Sequence, residues 1–541
     1  MINITPQGDI YLCKTPLEND YKNQLTFTNA NAQMTYFNSK IFKTLNNYTY
    51  IKHDNIIKVG FPIDEIIDCN YLFYRNEGFT TKYYFCFITN MEYINENCTS
   101  ITFETDVWQT YQFNIVYNPS FIEREHVNDD TIGLHTVPEN LETGEYITQS
   151  NNNTSIEPVL TNMYYLSDTV IIAGVTTIGF SVAYPLNAQQ SMYNGVYSGL
   201  TFLAFKTAKD LRLYINNCQE NLSNDNIATL FIAPDKLTGL QQSDYITTTV
   251  SGDIHYSFTF AFVPSSEYEK DLGEFSYPKA DHLDNNYVPR NKKLLTFPYC
   301  FLNVTNNVGI TKDYHYEEFN TSVCKFELRG ALSVGCSIKC YPKEYAIKSN
   351  ITNFENKLHA MDGAKLPTCA WLNDAYTNWL TQNSVNIGLG IAQDIVKIGA
   401  SFIKKDVGSV TGGYFGIANT LASIYEHSLQ PPTAKGGASQ GDLIFAERNT
   451  FNTYPTSIKK EYAEIIDKYF DMFGYKVNIV KVPNITGRTN WNYVKTIDCN
   501  FEGDIPGQFL QIIKRIFNNG ITLWHNPNTM YNYNNTNNIV S

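Results

Sequence analysis

"KYYFCFITNMEYINENCTSITFETDVWQTYQFNIVY" (82–117) consists of short runs rich in Tyr, Phe, Ile and Thr, separated by Asn and Asp. The same composition recurs in "GDIYLCK" (8–14) and "QLTFTN" (24–29). Such runs with polar boundaries are typical of antiparallel strands. A parallel sheet would require strands that alternate with helices, and this part of the sequence shows no such alternation. A short helix is expected in 60–76. The N-terminal part is therefore predicted to be mainly β.

Composition limits the class of protein. The chain has 541 residues, which favours two to four domains, and its 39 Tyr and 33 Phe favour packed β-rich domains over disorder. A net charge of -13 argues against a surface that coats nucleic acid. An acidic charge suits the lining of a channel that must pass DNA without holding it, because basic contacts would act as brakes.

Further strands and two helices are predicted downstream. Residues 207–222 have helical periodicity, with Leu211, Tyr214 and Ile215 on one face. A helix followed by a strand is predicted within 450–483. Further β-rich segments are predicted at 169–178, 253–264 and 319–342. The fold class is thus α+β with a β majority.

Nothing in the sequence indicates a catalytic or metal site. The start lacks the features of a secretory signal, and the eleven Cys, without metal or redox spacing, are expected to be reduced buried thiols. Ser439 lies in a G-x-S-x-G match without the required strand before it. His126 and His135 are expected to be solvated or hydrogen-bonded loop residues, with pH sensing as the alternative. We expect no enzyme activity, no cofactor and no metal.

The character of the chain changes at "SVNIGLGIAQDIVKIGASFI" (384–403), which is followed by "VTGGYFGIANTLASIY" (410–425). Helical projection places apolar side chains in one stripe on each arm, and a glycine-rich bend joins the arms. Neither arm has the continuous apolar run of a transmembrane helix. From the residues alone, a conditional membrane element and an ordinary buried hairpin remain equally open. The first stripe is Ile387, Ile391, Ile395, Ile398 and Phe402, and the second is Ile417, Leu421 and Ile424.

A family resemblance is carried by "TFETDVWQTYQFNIVYNPSFIEREHVNDDTIGLHTVPENLETGEY" (102–146). This segment resembles the N-terminal region of the distal tail knob, or tail tube, proteins of small phi29-like short-tailed bacteriophages. The aromatic TDVWQTY strand, the ERxHV arm and the ENL-x-TGEY segment are its most specific parts. The order of β-rich domains, apolar Gly-rich insertion and further strands agrees with the family over the full chain.

The resemblance implies a homohexameric tube with tail-tube-like β-domains in its wall. The apolar loops would plug the lumen until ejection and then form a passage through the host cytoplasmic membrane. Viral DNA would pass without sequence-specific binding, and other tail or collar proteins would be partners. The protein would be made in the bacterial cytoplasm and reside in the distal tail of the virion. Membrane-facing candidates are Ile387, Ile391, Ile395, Ile398, Phe402, Phe415, Ile417, Leu421 and Ile424. Glycines expected to give the loop flexibility are Gly388, Gly390, Gly399, Gly412, Gly413, Gly436 and Gly437.

The predicted organisation places the insertion inside a folded domain. The segments are an N-terminal β-domain of the tube wall (1–125), an extended arm (126–150), a middle β-rich domain (151–350), a lead-in (351–383), the insertion (384–441) and a C-terminal β/α part that completes the tube domain (442–541). The Asn-rich C-terminal tail is expected to be ordered only if a neighbour holds it.

Two alternative functions remain open at this point. One is a receptor-binding, adhesin-like tail protein whose Tyr- and Asn-rich surfaces bind cell-wall carbohydrate, with the hairpin buried. The other is a wall-degrading enzyme that uses Glu123, Asp129 and Asp130.

Overall fold

Antiparallel sheets dominate the computed structural model, which confirms the prediction of a mainly β chain with some helix. The structure describes residues 8–48, 55–76, 81–148, 169–183, 185–188, 192–193, 196–221, 226–251, 255–266, 268–306, 309–332, 337–346, 355–363, 368–370, 435–437 and 451–540.

The strands follow one another along the chain with few helices between them. They are β1 (Gly8–Cys13), β2 (Asn23–Leu25), β3 (Ile41–Tyr48), β4 (Ile56–Val59), β5 (Tyr71–Asn76), β6 (Tyr84–Asn95), β7 (Cys98–Thr105), β8 (Ile115–Tyr117), β9 (Ser120–Glu125), β10 (Tyr146–Thr148), β11 (Thr169–Val175), β12 (Met192–Tyr193), β13 (Val196–Tyr197), β14 (Thr201–Phe205), β15 (Ile227–Pro234), β16 (Ile246–Ser251), β17 (His255–Phe262), β18 (Lys270–Pro278), β19 (Cys300–Thr305), β20 (Thr311–Tyr314), β21 (Val323–Ala331), β22 (Ser337–Lys343), β23 (Met361–Asp362), β24 (Thr368–Ala370), β25 (Lys435–Gly437), β26 (Asn452–Ile458), β27 (Tyr475–Lys481), β28 (Trp491–Asp498), β29 (Phe501–Gly503) and β30 (Ile521–Trp524).

The α-helices are short and separate the strand groups. They are α1 (Ala30–Asn38), α2 (Ile63–Ile66), α3 (Val107–Tyr111), α4 (Ala208–Asn221), α5 (Asp235–Thr238), α6 (Lys460–Phe473) and α7 (Gly507–Asn519). The helices predicted within 60–76, 207–222 and 450–483 are confirmed as α2, α4 and α6.

The chain folds into two compact units, and unit 1 is assembled from three separate segments. Unit 1 contains Met1–Glu145, Asn285–Leu294 and Lys459–Ser541, and unit 2 contains Tyr146–Asp284 and Leu295–Ile458. The last segment of the chain therefore shares a unit with the first. We call residues 285–294 the strap, because they belong to unit 1 while the residues on both sides belong to unit 2.

Two sheets and their aromatic side chains form the core of unit 1. One sheet has the order β3-β1-β5-β6-β7-β4 and the other β2-β30-β28-β9-β27. Strand β1 alternates buried and half-buried positions along most of its length, as expected of a strand with one face on a core. The cluster that joins both sheets contains Cys13, Leu17, Leu25, Phe37, Tyr71, Phe73, Phe85, Phe87, Trp491 and Trp524.

Helix α1 places the central side chain of this cluster. The Asn29 side chain accepts a hydrogen bond from the backbone N–H of Ala32 at 2.9 Å, which caps the helix. Phe37, near the end of the helix, is fully buried. Its ring centroid lies 5.3 Å from that of Tyr71, in a stacked arrangement, and 4.6 Å from that of Phe85. Burial of such rings supplies a large part of the stability of a core.

The TDVWQTY segment is not the strand that the sequence suggested. Strand β7 ends at Thr105, and α3 begins at Val107 because the buried Asp106 accepts the backbone N–H of Gln109 at 3.0 Å and caps the turn. Asp106 also accepts the Tyr71 hydroxyl at 2.8 Å, and burial raises its pKa to about 7. The alternation of aromatic residues in this segment is typical of a strand, but the capping hydrogen bond of Asp106 stabilises a helical turn instead.

Helix α7 packs against β28 and α3 of unit 1. It buries Ile513, Ile516 and Phe517 on one face, and the Phe517 ring lies 5.9 Å from that of Trp108. The Trp108 indole N–H donates to the carbonyl oxygen of Leu25 at 2.8 Å. This bond ties α3 to β2, one of the two outer strands of the five-stranded sheet.

Unit 2 is built on a seven-stranded sheet, ordered β16-β17-β14-β11-β15-β24-β25. Leu211, Tyr214 and Ile215 of α4 are buried, as the helical periodicity predicted, and Tyr214 contacts the rings of Phe205 and Phe258. Two four-stranded sheets, β10-β26-β19-β20 and β18-β21-β22-β23, and the hairpin β12-β13 complete the unit.

Local contacts also settle two smaller expectations. Nine cysteines in the described part of the chain are free, and eight of these are buried, which agrees with the prediction of reduced buried thiols. The Asn-rich tail is held by its own chain: Tyr533 packs on Trp491 and Trp524, and Asn537 donates to the Trp491 carbonyl oxygen at 2.8 Å. Its order therefore does not require a neighbouring chain.

We expect Phe37→Ala to lower the free energy of unfolding by about 3–5 kcal/mol, because it removes a fully buried ring and leaves a cavity. The measurement is urea unfolding followed by tryptophan fluorescence, to which Trp491 and Trp524 of the same cluster contribute. The matched control is Phe113→Ala, since Phe113 is 44% exposed. Equal effects of the two substitutions would contradict the central role of Phe37.

Candidate functional site

The membrane-facing residues predicted from the sequence lie outside the described residues. The same holds for most of the glycines nominated for flexibility. Among the residues that the structure describes, no helix has the length and apolar character needed to cross a bilayer. The residues that lie outside are Ile387, Ile391, Ile395, Ile398, Phe402, Phe415, Ile417, Leu421, Ile424, Gly388, Gly390, Gly399, Gly412 and Gly413.

The two ends of the apolar insertion are joined by a β-ladder. Strand β24 pairs antiparallel with β15 through Phe231 and Thr368, and β25 pairs antiparallel with β24. Ala370 therefore lies opposite Lys435, and residues 371–434 leave and return at the same point of the seven-stranded sheet. We call the β24-β25 ladder the root of the insertion.

The two strands of the root lie in different segments of the predicted organisation. Strand β25 lies within the predicted loop (384–441), in the Pro/Gly-rich part that has no periodicity, and β24 lies within the predicted lead-in (351–383). Gly436 and Gly437 are opposite Cys369 and Thr368 in the ladder. Their proposed contribution to flexibility stays a prediction. Pairing with a neighbouring strand is a tertiary interaction, so a local sequence pattern does not predict it.

The arm that carries the family resemblance contains a buried ion cluster. Glu139, whose side chain is 1% exposed, lies between Arg124 of β9 and Lys293 of the strap and forms an ion pair with each. Its Oε1 also accepts the backbone N–H of Lys476 at 2.9 Å. Burial lowers the pKa of Lys293, and the neighbouring Glu139 opposes that shift. One carboxylate thus joins the arm, β9, β27 and the strap.

A second buried carboxylate fixes the strap to α6. Asp467 accepts the Tyr287 hydroxyl at 2.7 Å and the backbone N–H groups of Arg290 and Asn291 at 2.9 and 3.0 Å. Asn291 also donates to Asp471 at 2.8 Å. Sequence reasoning missed these partners, because the strap and α6 are far apart in the chain and neither segment has a recognisable motif.

His126, in the ERxHV arm, is buried and hydrogen-bonded. Its Nδ1 accepts the backbone N–H of Tyr493 at 2.8 Å, so its Nε2 donates to the Asp471 carbonyl oxygen at 2.9 Å. The pKa of His126 is lowered to about 3, mainly by burial and secondly by the positive charge of the nearby Arg488. The ring therefore stays neutral at mildly acidic pH, which argues against pH sensing by this residue.

The acidic residues nominated for wall degradation have structural partners. Glu123 pairs with Lys495 at 2.7 Å, and Asp129 accepts the backbone N–H of Thr131 at 2.9 Å. Asp130 accepts the Tyr475 hydroxyl at 2.7 Å and the backbone N–H of Lys292 at 2.9 Å. Burial raises the pKa of Asp130. In the described residues, no group of three or more His, Cys, Asp and Glu side chains is arranged to hold a metal.

We expect Glu139→Gln to destabilise unit 1 by about 3–5 kcal/mol, because it leaves the buried Arg124 and Lys293 without their common counter-charge. Urea unfolding measures the loss. Glu142→Gln, an exposed carboxylate of the same arm, is the matched control and should change stability little. A loss no larger than that of the control would contradict the role of Glu139.

We expect the stability of unit 1 to fall on acidification through His126. An unfolded histidine titrates near pH 6.5, so between pH 6.5 and about 3 the unfolded state binds the additional proton. This group then removes up to about 1.4 kcal/mol per pH unit, and its stabilising contribution is complete above pH 6.5. Unfolding at several pH values should give a flatter dependence for His126→Asn. An unchanged slope for His126→Asn would contradict the expectation.

Comparisons with known proteins cover nearly the full length of the chain. Residues 262–538 match the family described as the C-terminal domain of the tail knob protein gp9 of Bacillus phage phi29, and residues 10–117 match the N-terminus of caudoviral major tail proteins. The tail knob protein gp9 of Bacillus phage B103 is 27% identical, covering 94% of this chain and 95% of the relative. That of phi29 is also 27% identical, covering 96% of each.

A solved structure supports the fold. The tail knob protein gp12 of bacteriophage C1 aligns with a TM-score of 0.56 at 14% identity, covering 99% of this chain and 100% of that chain. Together, the comparisons confirm the resemblance to phi29-like tail knob proteins and the mainly β fold class.

Proposed function

Because the chain belongs to the family of the phage tail knob protein gp9, we propose that it forms an oligomeric channel at the distal end of a phage tail and delivers DNA through the host membrane. In this proposal six copies make the tube, other tail or collar proteins attach to it, and the virion tail is its location. Viral DNA passes without sequence-specific contacts. The protein acts as a structural component and not as an enzyme.

The rooted apolar insertion is the observation that carries the proposal. Its sequence has apolar stripes on two arms, and its two ends are fixed to one sheet edge by the root. A segment that leaves and returns at one point has the connectivity needed to change position while the sheet keeps its strands. Copies of the stripes packed on each other would plug the lumen, and a bilayer would offer the same side chains an alternative apolar environment.

The net charge of -13 supports passage of DNA. An acidic chain does not bind phosphates by general attraction, so transit would meet no strong electrostatic brake. The two lysines and the aspartate at 404–406 would lie at the tip of the insertion or face water in the passage, because charged groups are costly in the apolar part of a bilayer.

We expect the purified protein to release dye from anionic liposomes. A variant in which a short Gly/Ser linker replaces 371–434 and the root is kept should release none, because it lacks both stripes. Ile395→Lys should also lose release, since it places a charge in the first stripe. Val396→Lys, which helical projection places about 100° from Ile395 and outside the first stripe, is the matched control and should retain it.

Each variant must form the same oligomer as the parent before release is compared. Release by the linker variant would show that another part of the chain perturbs membranes. Silence of the parent under all conditions, combined with binding to isolated host cell walls, would favour the adhesin-like alternative.

A further inference from the structure

Aromatic side chains are exposed on one face of the four-stranded sheet β10-β26-β19-β20 in unit 2. Leu302 of β19 and its partner Tyr314 of β20 are both buried, so the neighbouring Phe301 is on the opposite, outer face. Phe297, in the loop before β19, is 42% exposed, and Tyr146 of β10 is 43% exposed. Folding normally buries large apolar side chains, so a group of them at the surface indicates a binding surface.

Ring contacts join these side chains into one surface. The Phe297 ring stacks on that of His315 with the centroids 4.0 Å apart, and it lies 5.9 Å from the Phe301 ring at an angle of 58°. The Phe301 ring lies 5.7 Å from that of Tyr146 at an angle of 62°. All four residues belong to unit 2. We define the β19 patch as Tyr146, Phe297, Phe301 and His315.

Two exposed carboxylates flank the β19 patch. Asp313 of β20 accepts a hydrogen bond from the side-chain N–H of Asn303 at 2.7 Å, which orients its carboxylate. Glu318 follows shortly after β20 and is also exposed. Burial lowers the pKa of His315, and the charges of Glu318 and Asp313 oppose that shift, so both carboxylates are close to this ring. The patch therefore combines aromatic rings with hydrogen-bond acceptors that carry negative charge.

The charge of these carboxylates is not balanced within the described part of the chain. Neither Asp313 nor Glu318 forms an ion pair there with a Lys or Arg side chain. Lys312 lies opposite the buried Val304 and so is on the inner face, where its Nζ is 5.7 Å from the centre of the Tyr314 ring. The lowered pKa of the histidine in the patch keeps its ring neutral at pH 7. The surface is thus complementary to a ligand with positive charge.

An arginine side chain has the chemistry that fits this surface. Its guanidinium group is planar, stacks on aromatic rings and forms two parallel hydrogen bonds with a carboxylate. Phe297 remains partly exposed although its ring stacks on His315, so ring surface is open for such a contact. A nucleic acid or an anionic lipid headgroup is disfavoured, because its phosphates would meet two carboxylates of the same sign.

We propose that the β19 patch, together with Asp313 and Glu318, binds an arginine side chain presented by another protein. In the complex the guanidinium group would stack on Phe297 and pair with the carboxylate of Asp313. The remaining rings would cover the methylene groups of the arginine, which are apolar. The proposal is independent of the proposed channel, because neither the apolar insertion nor the number of copies enters into it.

The test measures the binding of a fluorescein-labelled peptide of alternating glycine and arginine to the full chain by fluorescence anisotropy, in about 0.15 M salt. Phe297→Ala and Asp313→Asn should each raise the dissociation constant about tenfold. Two matched controls in the same unit should bind as the parent does. They are Tyr268→Ala, which removes an exposed ring elsewhere, and Asp281→Asn, which makes the same change of charge outside the β19 patch.

A second peptide, with lysine in place of each arginine, separates the proposed contact from general attraction to an acidic chain. The arginine peptide should bind about tenfold more tightly, because a lysine ammonium group cannot stack or form the paired hydrogen bonds. Equal binding of the two peptides, or no binding of either, would overturn the proposal and leave the proposed channel untouched. Equal losses in the patch variants and their controls would also overturn it. Circular dichroism checks folding, and Asp313→Asn, which preserves side-chain size, suffices if Phe297→Ala fails to fold.

Discussion

The buried carboxylates of Glu139 and Asp467 are the interactions on which unit 1 depends. The strap enters this unit from residues that belong to unit 2 and returns to them, so it has no covalent neighbour inside unit 1 to hold it. Glu139 forms an ion pair with Lys293 of the strap, and Asp467 accepts hydrogen bonds from two backbone N–H groups of the strap. Both carboxylates are buried, and a buried charge without partners is unfavourable. Removal of the strap from unit 1 would therefore leave Glu139 and Asp467 without partners that offset their charges.

Much of the fold followed from local sequence patterns. Aromatic alternation predicted the strands of the N-terminal part, and helical periodicity predicted α4 together with its buried face. These predictions succeed because burial on one face of an element leaves a period in the sequence. They fail where a single side chain decides, as at Asp106, whose capping bond turns a strand-like aromatic segment into α3.

The candidate site was less accessible to sequence reasoning. The bonds between Asp467 and Asn291 join residues 176 positions apart, and the root pairs two segments that no periodicity marks. Such contacts arise from tertiary packing, which one sequence without relatives does not display. The apolar insertion itself was recognisable, since its composition departs from the rest of the chain.

The assembly of unit 1 from three segments also constrains biosynthesis. Residues 1–145 emerge first from the ribosome, but their sheet partners β27, β28 and β30 emerge after nearly all of the chain has been made. A nascent chain therefore cannot complete this unit while the apolar insertion is still being translated. A truncated product that lacks β27, β28 and β30 therefore cannot complete the five-stranded sheet of unit 1.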